Sequence, residues 1–453
     1  MFKTILVANR GEIAVRLIQT IHEMGLKAVA VYSEADADSL HVQLADQAVC
    51  IGPAPAAASY LNMQNILAAA VLTGAEAVHP GFGFLSENPD FAAACAQAGL
   101  VFIGPRVETL RELGDKAAAR ALMTTLAVPV IPGSGVVDDV AKAQEAAAAL
   151  AYPVMLKAAA GGGGKGIRLL ADEDALLATF AQAQAEAVLA FGSGEMYLEK
   201  VLVDAKHIEV QVLADQQGHV WTFPERDCSL QYRKQKLIEI TPAQTLPQAL
   251  RDQLQQLAAR IASGTNYINA GTIEFLVADG HAYFLEMNTR IQVEHPVTEA
   301  VSGVDLLRWQ ILIAAGLALD APSQALSAQG VAIECRINAQ DPDHGFAPST
   351  GVVSQVGWPL GGAGLRIDTS IRLGSQITPY YDAMLAKVIV HASTFAGAWA
   401  KLQRALNELQ IQGVTTNIAW QRELMAAKPV QAGLASITYV EQRLKEDQTD
   451  AKA

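Results

Sequence analysis

The feature that most restricts how this chain can fold is a run of glycines set between two strands. Tyr152-Pro153-Val154-Met155-Leu156-Lys157-Ala158 is an apolar, strand-forming stretch, and Gly161-Gly162-Gly163-Gly164-Lys165-Gly166 follows it. Gly161, Gly163 and Gly166 formally satisfy G-x-G-x-x-G, yet a dinucleotide fingerprint must open a helix. Here Ile167-Arg168-Leu169-Leu170 comes next, which is strand again, and no Ser or Thr follows the Gly-Lys pair as a P-loop requires. What remains is a flap. Its unobstructed backbone N–H groups can fold over phosphates, and Lys165 adds positive charge. Four consecutive glycines cost folding entropy that a plain turn has no reason to bear, so phosphate binding is the favoured reading.

The chain before the flap has a different rhythm. Thr4–Ala8 reads as a strand, Ile13, Leu17, Ile21 and Met24 share a helical face closed by Gly25, and Lys27–Tyr32 is the next strand. A helical pattern over Tyr60–Thr73 and strand ends at Ala77-Val78 and Val101–Gly104 continue a parallel α/β sheet. Ligands of such sheets bind beyond the carboxyl ends of the strands, which makes His79–Asn88 a candidate loop, with a rigid turn as the plain alternative. From Gly114 helices are expected over 116–126, 138–150, 173–191 and 247–263. They surround strand pairs, 207–214 with 218–223 and 270–278 with 281–287, which read as antiparallel hairpins. A last segment opens with a strand at Val331, is rich in Gly and Pro through Gly362, and ends in helical patterns over 394–409 and 414–426. With 453 residues at roughly 150 per domain, about three domains are expected. The boundaries read as 1–113, 114–329 with a lid about 131–203, and 330–446, followed by a polar, frayed tail at 447–453.

Composition removes several classes of function. Hydrophobic residues make up 51% and charged ones 17%, which excludes a disordered chain. A net charge of −13 argues against general nucleic-acid or anionic-membrane binding. The apolar window from Leu306 to Leu317 is broken by Arg308 and Gln310, so no stretch reaches membrane-spanning length. Cys50, Cys95, Cys228 and Cys335 lie far apart, giving neither a zinc pattern nor a disulfide frame, as expected of a cytoplasmic protein.

Chemistry concentrates late in the middle segment. Gly271–Leu276 and Tyr283–Asn288 read as two strands of one hairpin. Alternation turns Glu286 and Asn288 the same way, with Glu274 on the polar face. Two carboxylates and an amide oxygen beside a phosphate flap suit Mg²⁺, where an isolated pair would only be a solvated sheet face. Arg290, Gln292 and Glu294 follow at spacing two, past an expected bend near Thr289. They form a receptor for a small oxyanion such as bicarbonate, Arg giving bidentate donors and Glu able to take a proton. A second basic set, Arg226, Arg233, Lys234 and Lys236, precedes Ile240; alone it would read equally well as a surface charge run.

With these motifs in order, the sequence resembles biotin carboxylase, a member of the ATP-grasp superfamily. The resemblance runs from Ile5 to about Tyr439. It is carried by Ala8-Asn9-Arg10-Gly11-Glu12-Ile13-Ala14, His79-Pro80-Gly81 with Phe84-Leu85-Ser86-Glu87-Asn88, Gly114-Asp115-Lys116, the glycine flap, Glu225-Arg226-Asp227-Cys228-Ser229, Glu286 to Pro296, and Glu334-Cys335-Arg336-Ile337-Asn338-Ala339. It implies an α/β and α+β fold: a Rossmann-like parallel sheet first, a central ATP-grasp with a glycine-rich lid, and a C-terminal biotin carboxylase domain. It also implies roles. Lys116 and Lys157 would contact ATP phosphates with Gly163 and Gly164 above them. Glu199, Lys200 and Leu202 would form the adenine hinge, and His207, Gln231, Lys234 and Lys236 would make further nucleotide contacts. Glu274, Glu286 and Asn288 would ligate Mg²⁺ or Mn²⁺. Arg290, Gln292, Val293 and Glu294 would form the bicarbonate pocket, and Arg336 would stabilise the biotin enolate, with Phe82 near biotin and Lys236 also facing bicarbonate. Three departures stand out: Phe82 where Tyr is common, Lys234 where His is frequent, and Ile240-Thr241-Pro242 in place of Glu-Ala-Pro.

The implied reaction is MgATP-dependent carboxylation of biotin by bicarbonate through carboxyphosphate, the first half-reaction of acetyl-CoA carboxylase. A propionyl-CoA or pyruvate system, another ATP-grasp ligase, and a non-catalytic ATP-binding regulatory subunit are the alternatives. The biotin-bearing lysine of this family sits in Ala-Met-Lys-Met, and no Met-Lys dipeptide occurs here. A biotin carboxyl carrier protein and a carboxyltransferase are therefore expected in trans, and a homodimer is expected from the family.

Overall fold

The structure, a computed structural model, describes residues 1–159 and 167–450. Five short strands near the N-terminus, β1 (Thr4–Val7), β2 (Lys27–Tyr32), β3 (Gln47–Cys50), β4 (Ala77–His79) and β5 (Val101–Phe102), form a parallel sheet in the order β3-β2-β1-β4-β5. The order reverses at β1, which pairs with β2 on one side and β4 on the other. Helix α1 (Gly11–Glu23) buries Ile13, Leu17 and Ile21, as their spacing requires. The helix expected from Tyr60 starts at Met63 instead: Asn62 caps it by accepting from Asn65 N, while Tyr60 is wholly buried before it.

One compact unit comprises Met1–Asp115, Lys206–Phe275 and Glu286–Ala453; a second comprises Lys116–Ala205 and Leu276–Leu285. The expected boundary at 329/330 does not divide the packing. Besides the parallel sheet, the chain forms an antiparallel one that uses β9 (Lys206–Ala214), β11 (Arg226–Tyr232), β12 (Gln235–Thr241), β13 (Asn269–Ala278), β14 (His281–Asn288) and β16 (Val331–Asn338), all of it in the first unit except Leu276–Ala278 of β13 and His281–Leu285 of β14. Its order is β14-β13-β9-β11-β12-β16, then strands Met384–Ala392 and Leu365–Thr369, while β10 (Val220–Thr222) joins both β9 and the short β15 (Gln324–Ala325). β12 pairs directly with β16, Ile238 opposite Cys335, so the sheet runs through the place where the sequence pattern changes. Ile333, Ile337, Val388, Leu402 and Leu406 fill the core on one side. The expected polar tail at 447–453 is corrected in part. A final helix, Tyr439–Asp450, runs through its first residues because Val440 is buried in that core with Tyr439 and Leu444 packed against it.

In the second unit β6 (Val154–Ala158) pairs antiparallel with both β7 (Ile167–Leu170) and β8 (Met196–Lys200). Val154, Leu156 and Leu170 bury against Phe180 and Ala187 of helix Glu173–Phe191 and Ala143 of helix Val140–Leu150. Lys157 lies opposite Ile167, so the strands expected on either side of the glycines pair with each other. Gly163, Gly164 and Lys165 lie outside the described residues.

Candidate active site

The site of the first unit grows from alternation along β9. His207, Glu209 and Gln211 share one face, and all three are buried. β11 brings Arg226 directly opposite Glu209. The Arg226 guanidinium donates to Glu209 Oε1, to Gln211 Oε1 at 3.1 Å, and to the hydroxyls of Thr298 at 2.8 Å and Thr272 at 3.2 Å. It has no exposed surface. Arg226 is therefore an internal strut, not part of a surface charge run.

β11 then bulges between Asp227 and Gln231, and Arg233-Lys234 make the two-residue turn into β12 with φ of 48° and 67°. Both turn residues occupy left-handed backbone, as a tight hairpin requires. Gln231 faces Lys236 across this hairpin. The Lys236 ammonium ends among three carboxylates: Glu209, Glu274 Oε1 at 3.0 Å and Glu294 Oε1 at 2.6 Å. Burial opposes its charge, but those carboxylates outweigh burial and hold it well above the ordinary lysine value.

Glu274 is the acceptor on which the hairpin converges. Its Oε1 also takes Asn288 Nδ2 at 2.7 Å and Gln292 Nε2 at 3.0 Å, and its Oε2 lies 2.9 Å from His207 Nε2. Burial would raise its pKa, yet Lys236 and His207 bring it below the ordinary range. β14 ends at Asn288 and the chain bends at once, as expected near Thr289, so that Arg290, Gln292 and Glu294 leave the sheet. Arg290 donates to Glu87 Oε2 at 2.9 Å, Gln292 Oε1 at 3.0 Å and Asn288 Oδ1 at 3.1 Å. Glu294, just before helix His295–Ser302, receives Arg336 Nη2 at 2.9 Å on its second oxygen. Burial pushes against its ionisation, but Lys236, Arg336 and Arg226 hold it well below the usual range, so it is a carboxylate at neutral pH. Arg336 is fixed from behind by Glu239 Oε1 at 2.6 Å. An unbroken chain of contacts thus runs Arg290–Gln292–Glu274–Lys236–Glu294–Arg336–Glu239.

Glu274, Glu286 and Asn288 offer two carboxylates and an amide oxygen, a hard donor set that fits Mg²⁺ or Mn²⁺. Holding such a cation needs Asn288 Oδ1, now accepting from Arg290, turned toward Glu274 in place of Nδ2. His207, Glu209 and Glu274 also bring ligand atoms within 4.8 Å of one another, but the Lys236 ammonium on both glutamates repels a cation there. The Cys228 thiol is pushed up by burial and stays protonated.

The candidate loop at His79 is clamped by Asn9, whose Nδ2 donates to Pro80 O and Phe82 O, both at 2.7 Å. Gly81 has φ of 62° and an added Cβ would lie 2.9 Å from that nitrogen, so no side chain fits. Phe82 is partly buried against the core under α1. Of the remaining expected residues, Val293 sits half-buried in the bend segment, and Lys116, Lys157, Glu199, Lys200 and Leu202 belong to the second unit. There Lys157 contacts the Glu199 carboxylate, which also takes Arg120 Nη1 at 3.2 Å. Lys116 opens helix Lys116–Thr125, Lys200 ends β8 exposed, and Leu202 follows half-buried.

Sequence reasoning gave no role to Glu209, Glu239 or Glu87. The first two had a readable signal, a charged residue between apolar neighbours in His207-Ile208-Glu209-Val210 and Ile238-Glu239-Ile240.

Comparison with known proteins follows the same line. Residues 1–110 match the family described as biotin carboxylase, N-terminal domain, and 334–442 that described as biotin carboxylase C-terminal domain. Residues 115–322 match carbamoyl-phosphate synthase L chain, ATP binding domain. The chain is 46% identical to biotin carboxylase 1 of Bacillus subtilis over 444 residues, 97% of this chain and 98% of that one. It is similar to the biotin carboxylase domain dimer of Hydrogenobacter thermophilus 2-oxoglutarate carboxylase, solved with MgADP, ADP and bicarbonate: 45% identity, TM-score 0.91, 98% of each chain. It is also similar to the biotin carboxylase–β,γ-ATP complex from Campylobacter jejuni, at 43% identity and TM-score 0.93, over 98% of this chain and 99% of that one.

Proposed function

The chain belongs to the biotin carboxylase family, and from that premise we propose that it carboxylates biotin with bicarbonate at the expense of ATP. One observation carries the reading: Glu294, an anion with no exposed surface, lies between Lys236 and Arg336, and Lys236 and Glu274 link it to the Arg290–Gln292 pair. That arrangement joins a proton acceptor to cations able to receive both bicarbonate and the charge of phosphoryl transfer.

Bicarbonate is a poor electrophile, so ATP must activate it. Arg290 and Gln292 orient the anion, and Glu294 takes its proton as it attacks the γ-phosphorus to give carboxyphosphate and ADP. Lys236 neutralises charge on the moving phosphoryl group, the dominant need in this chemistry, and Lys116 and Lys157 take the roles toward ATP phosphates that the family resemblance implies. Glu274, Glu286 and Asn288 would hold the divalent cation that accompanies ATP, which supplies further charge neutralisation on the phosphates. Carboxyphosphate breaks down to CO₂ and phosphate, the phosphate takes the N1′ proton of biotin, and Arg336 stabilises the enolate that attacks CO₂. Glu199, Lys200 and Leu202 line the adenine side, and His207, Gln231 and Lys234 add nucleotide contacts.

The biotin is presented by a separate carrier protein, and a carboxyltransferase subunit consumes the product. The acceptor is set by that subunit, acetyl-CoA being the first choice. A homodimer is the assembly expected here, as the Hydrogenobacter domain is a dimer. Among the described residues no helix is long and apolar enough to cross a membrane, and we place the protein in the cytoplasm. ADP release is measured with MgATP, bicarbonate and free biotin, each omitted in turn. Full MgATP binding without bicarbonate-dependent release would refute the reading in favour of a non-catalytic subunit.

A further inference from the structure

Three charges, two of them buried, lie in one row across the antiparallel sheet. Arg336 of β16 is directly opposite Lys387 of strand Met384–Ala392, and Lys387 is directly opposite Asp368 of strand Leu365–Thr369. Residues opposite one another in antiparallel strands share a face, and like charges in that relation repel. Two cations side by side, Lys387 wholly buried and Arg336 only slightly exposed, is an arrangement that packing alone would not select. The Lys387 side chain has no exposed surface at all.

What the two cations touch gives the reason. Arg336 donates to the Glu294 carboxylate, and Lys387 Nζ donates to the backbone carbonyl of Val293 at 2.8 Å. They therefore grip adjacent residues of the bend segment that runs from Asn288 to helix His295–Ser302. This segment has left the sheet, so no ladder hydrogen bonds fix it. Its Gln292 carbonyl is held separately, 2.8 Å from His295 Nδ1. Lys387 is in turn held by Glu12 of α1, at 3.1 Å, and by Asp368 at 3.7 Å. Burial works against the ammonium, but Glu12, Glu334 and Asp368 outweigh it and keep the group charged.

We infer that Lys387 is a positioning residue: tied down by Glu12 and Asp368, it fixes the Val293 carbonyl and so sets how Gln292 and Glu294 present themselves to the bicarbonate anion. Glu12 lies in the Ala8–Ala14 motif, to which the catalytic reading assigns no task. Its task is to hold Lys387. The inference rests on the proposed function for the identity of the anion.

The test uses the full chain and bicarbonate-dependent ADP release, with the wild type as control. Lys387→Met removes the donor and keeps the chain length. It should raise the KM for bicarbonate about 10- to 100-fold while the KM for MgATP stays within about twofold, since a displacement near 1 Å at a reacting group costs on that order. It also leaves Glu12 buried without its cation, so the melting temperature will fall. Glu12→Leu/Lys387→Met removes both charges, and Asp368 keeps its Arg366 partner at 2.6 and 2.7 Å. The double variant should recover stability yet retain the bicarbonate defect, because the Val293 carbonyl still lacks its donor. Recovery of bicarbonate KM together with stability would reduce Lys387 to a packing role and overturn the inference, as would an unchanged KM in either variant. Glu12→Gln, nearly isosteric, should give a smaller rise, about threefold, and supplies the reading if the other two fail to fold; no rise there would overturn the inference. A wild type without bicarbonate-dependent turnover would instead refute the proposed function.

Discussion

Replacing Glu294 by Gln separates the proposed base from everything around it. The carboxylate takes Lys236 on one oxygen at 2.6 Å and Arg336 on the other at 2.9 Å. Glutamine keeps the volume but offers one oxygen and one NH₂, so one cation meets a donor. Lys236 still has Glu209 and Glu274, and Arg336 still has Glu239, so neither is left bare. The structural cost is then one charge-assisted hydrogen bond, about 1.5–3 kcal/mol, and the variant should fold. The chemical cost is larger, because a lost general base removes ~10²–10⁴ of rate. ADP release with saturating MgATP and varied bicarbonate reads the second quantity, and thermal stabilisation by MgATP reads whether nucleotide binding survives. The stability gap also has a sign. Glu294 ionises well below its ordinary value when folded, so its contribution is present above about pH 4.5 and is lost on acidification below that. The melting-temperature gap between wild type and variant should therefore shrink below pH 4.5. Bicarbonate-dependent turnover within threefold of wild type, with MgATP binding intact, would refute the assignment of Glu294 as base.

Arg336→Ala should cut biotin carboxylation far more than biotin-independent ATP hydrolysis; equal losses in the two assays would place Arg336 on ATP or bicarbonate instead. Glu286→Gln should raise the Mg²⁺ or Mn²⁺ concentration needed for half-maximal turnover, partly rescued by excess metal, and an unchanged metal titration would return Glu286 to an ordinary strand acid. Burial raises the Glu239 carboxyl to about 7, so the folded protein holds a proton that the unfolded chain releases above about pH 4.5. Its stabilising contribution falls as pH rises through 7, and the wild-type advantage in melting temperature over Glu239→Gln should be smaller at pH 8 than at pH 5; a larger gap at pH 8 would contradict this. Purified from cells with an active biotin ligase, the denatured chain should carry no biotin, because it has no Met-Lys dipeptide; a stoichiometric signal on a blot would overturn that.

Most of what the sequence could reveal was local. The strand–glycine–strand pattern predicted β6 and β7 because alternation of Val154, Leu156 and Ala158 is a property of five residues. The bend at Thr289 was legible since unbroken alternation from Glu286 would demand an implausibly long strand. That one sheet runs across residue 330 was not legible: the pairing of Ile238 with Cys335 joins residues almost a hundred apart, and periodicity within each strand says nothing about its neighbour. The burial of Arg226 was hidden for the same reason. Its partners Glu209, Gln211, Thr272 and Thr298 come from three other elements, and only the sheet order puts them together. The final helix is hidden in the sequence because a composition rich in Lys, Glu, Asp and Gln looks frayed, whereas one buried side chain, Val440, anchors its start.

The charges of the site also constrain how it works. Lys236 has three protons, and Glu209, Glu274 and Glu294 take all of them. An incoming anion can reach Lys236 only by displacing a carboxylate. Glu274 is the partner that can be released: it has the other donors His207, Asn288 and Gln292, and it is also the ligand a divalent cation would claim. Glu209 is pinned by the Arg226 guanidinium and Glu294 by Arg336, so these two stay. A cation arriving with ATP would draw Glu274 away from Lys236 and free one ammonium proton for the anion. Metal occupancy and bicarbonate affinity should then be coupled through a single side chain. Glu274→Gln, which weakens both contacts at once, should therefore reduce the dependence of bicarbonate KM on Mg²⁺ concentration, and an undiminished dependence would show that the coupling runs by another route.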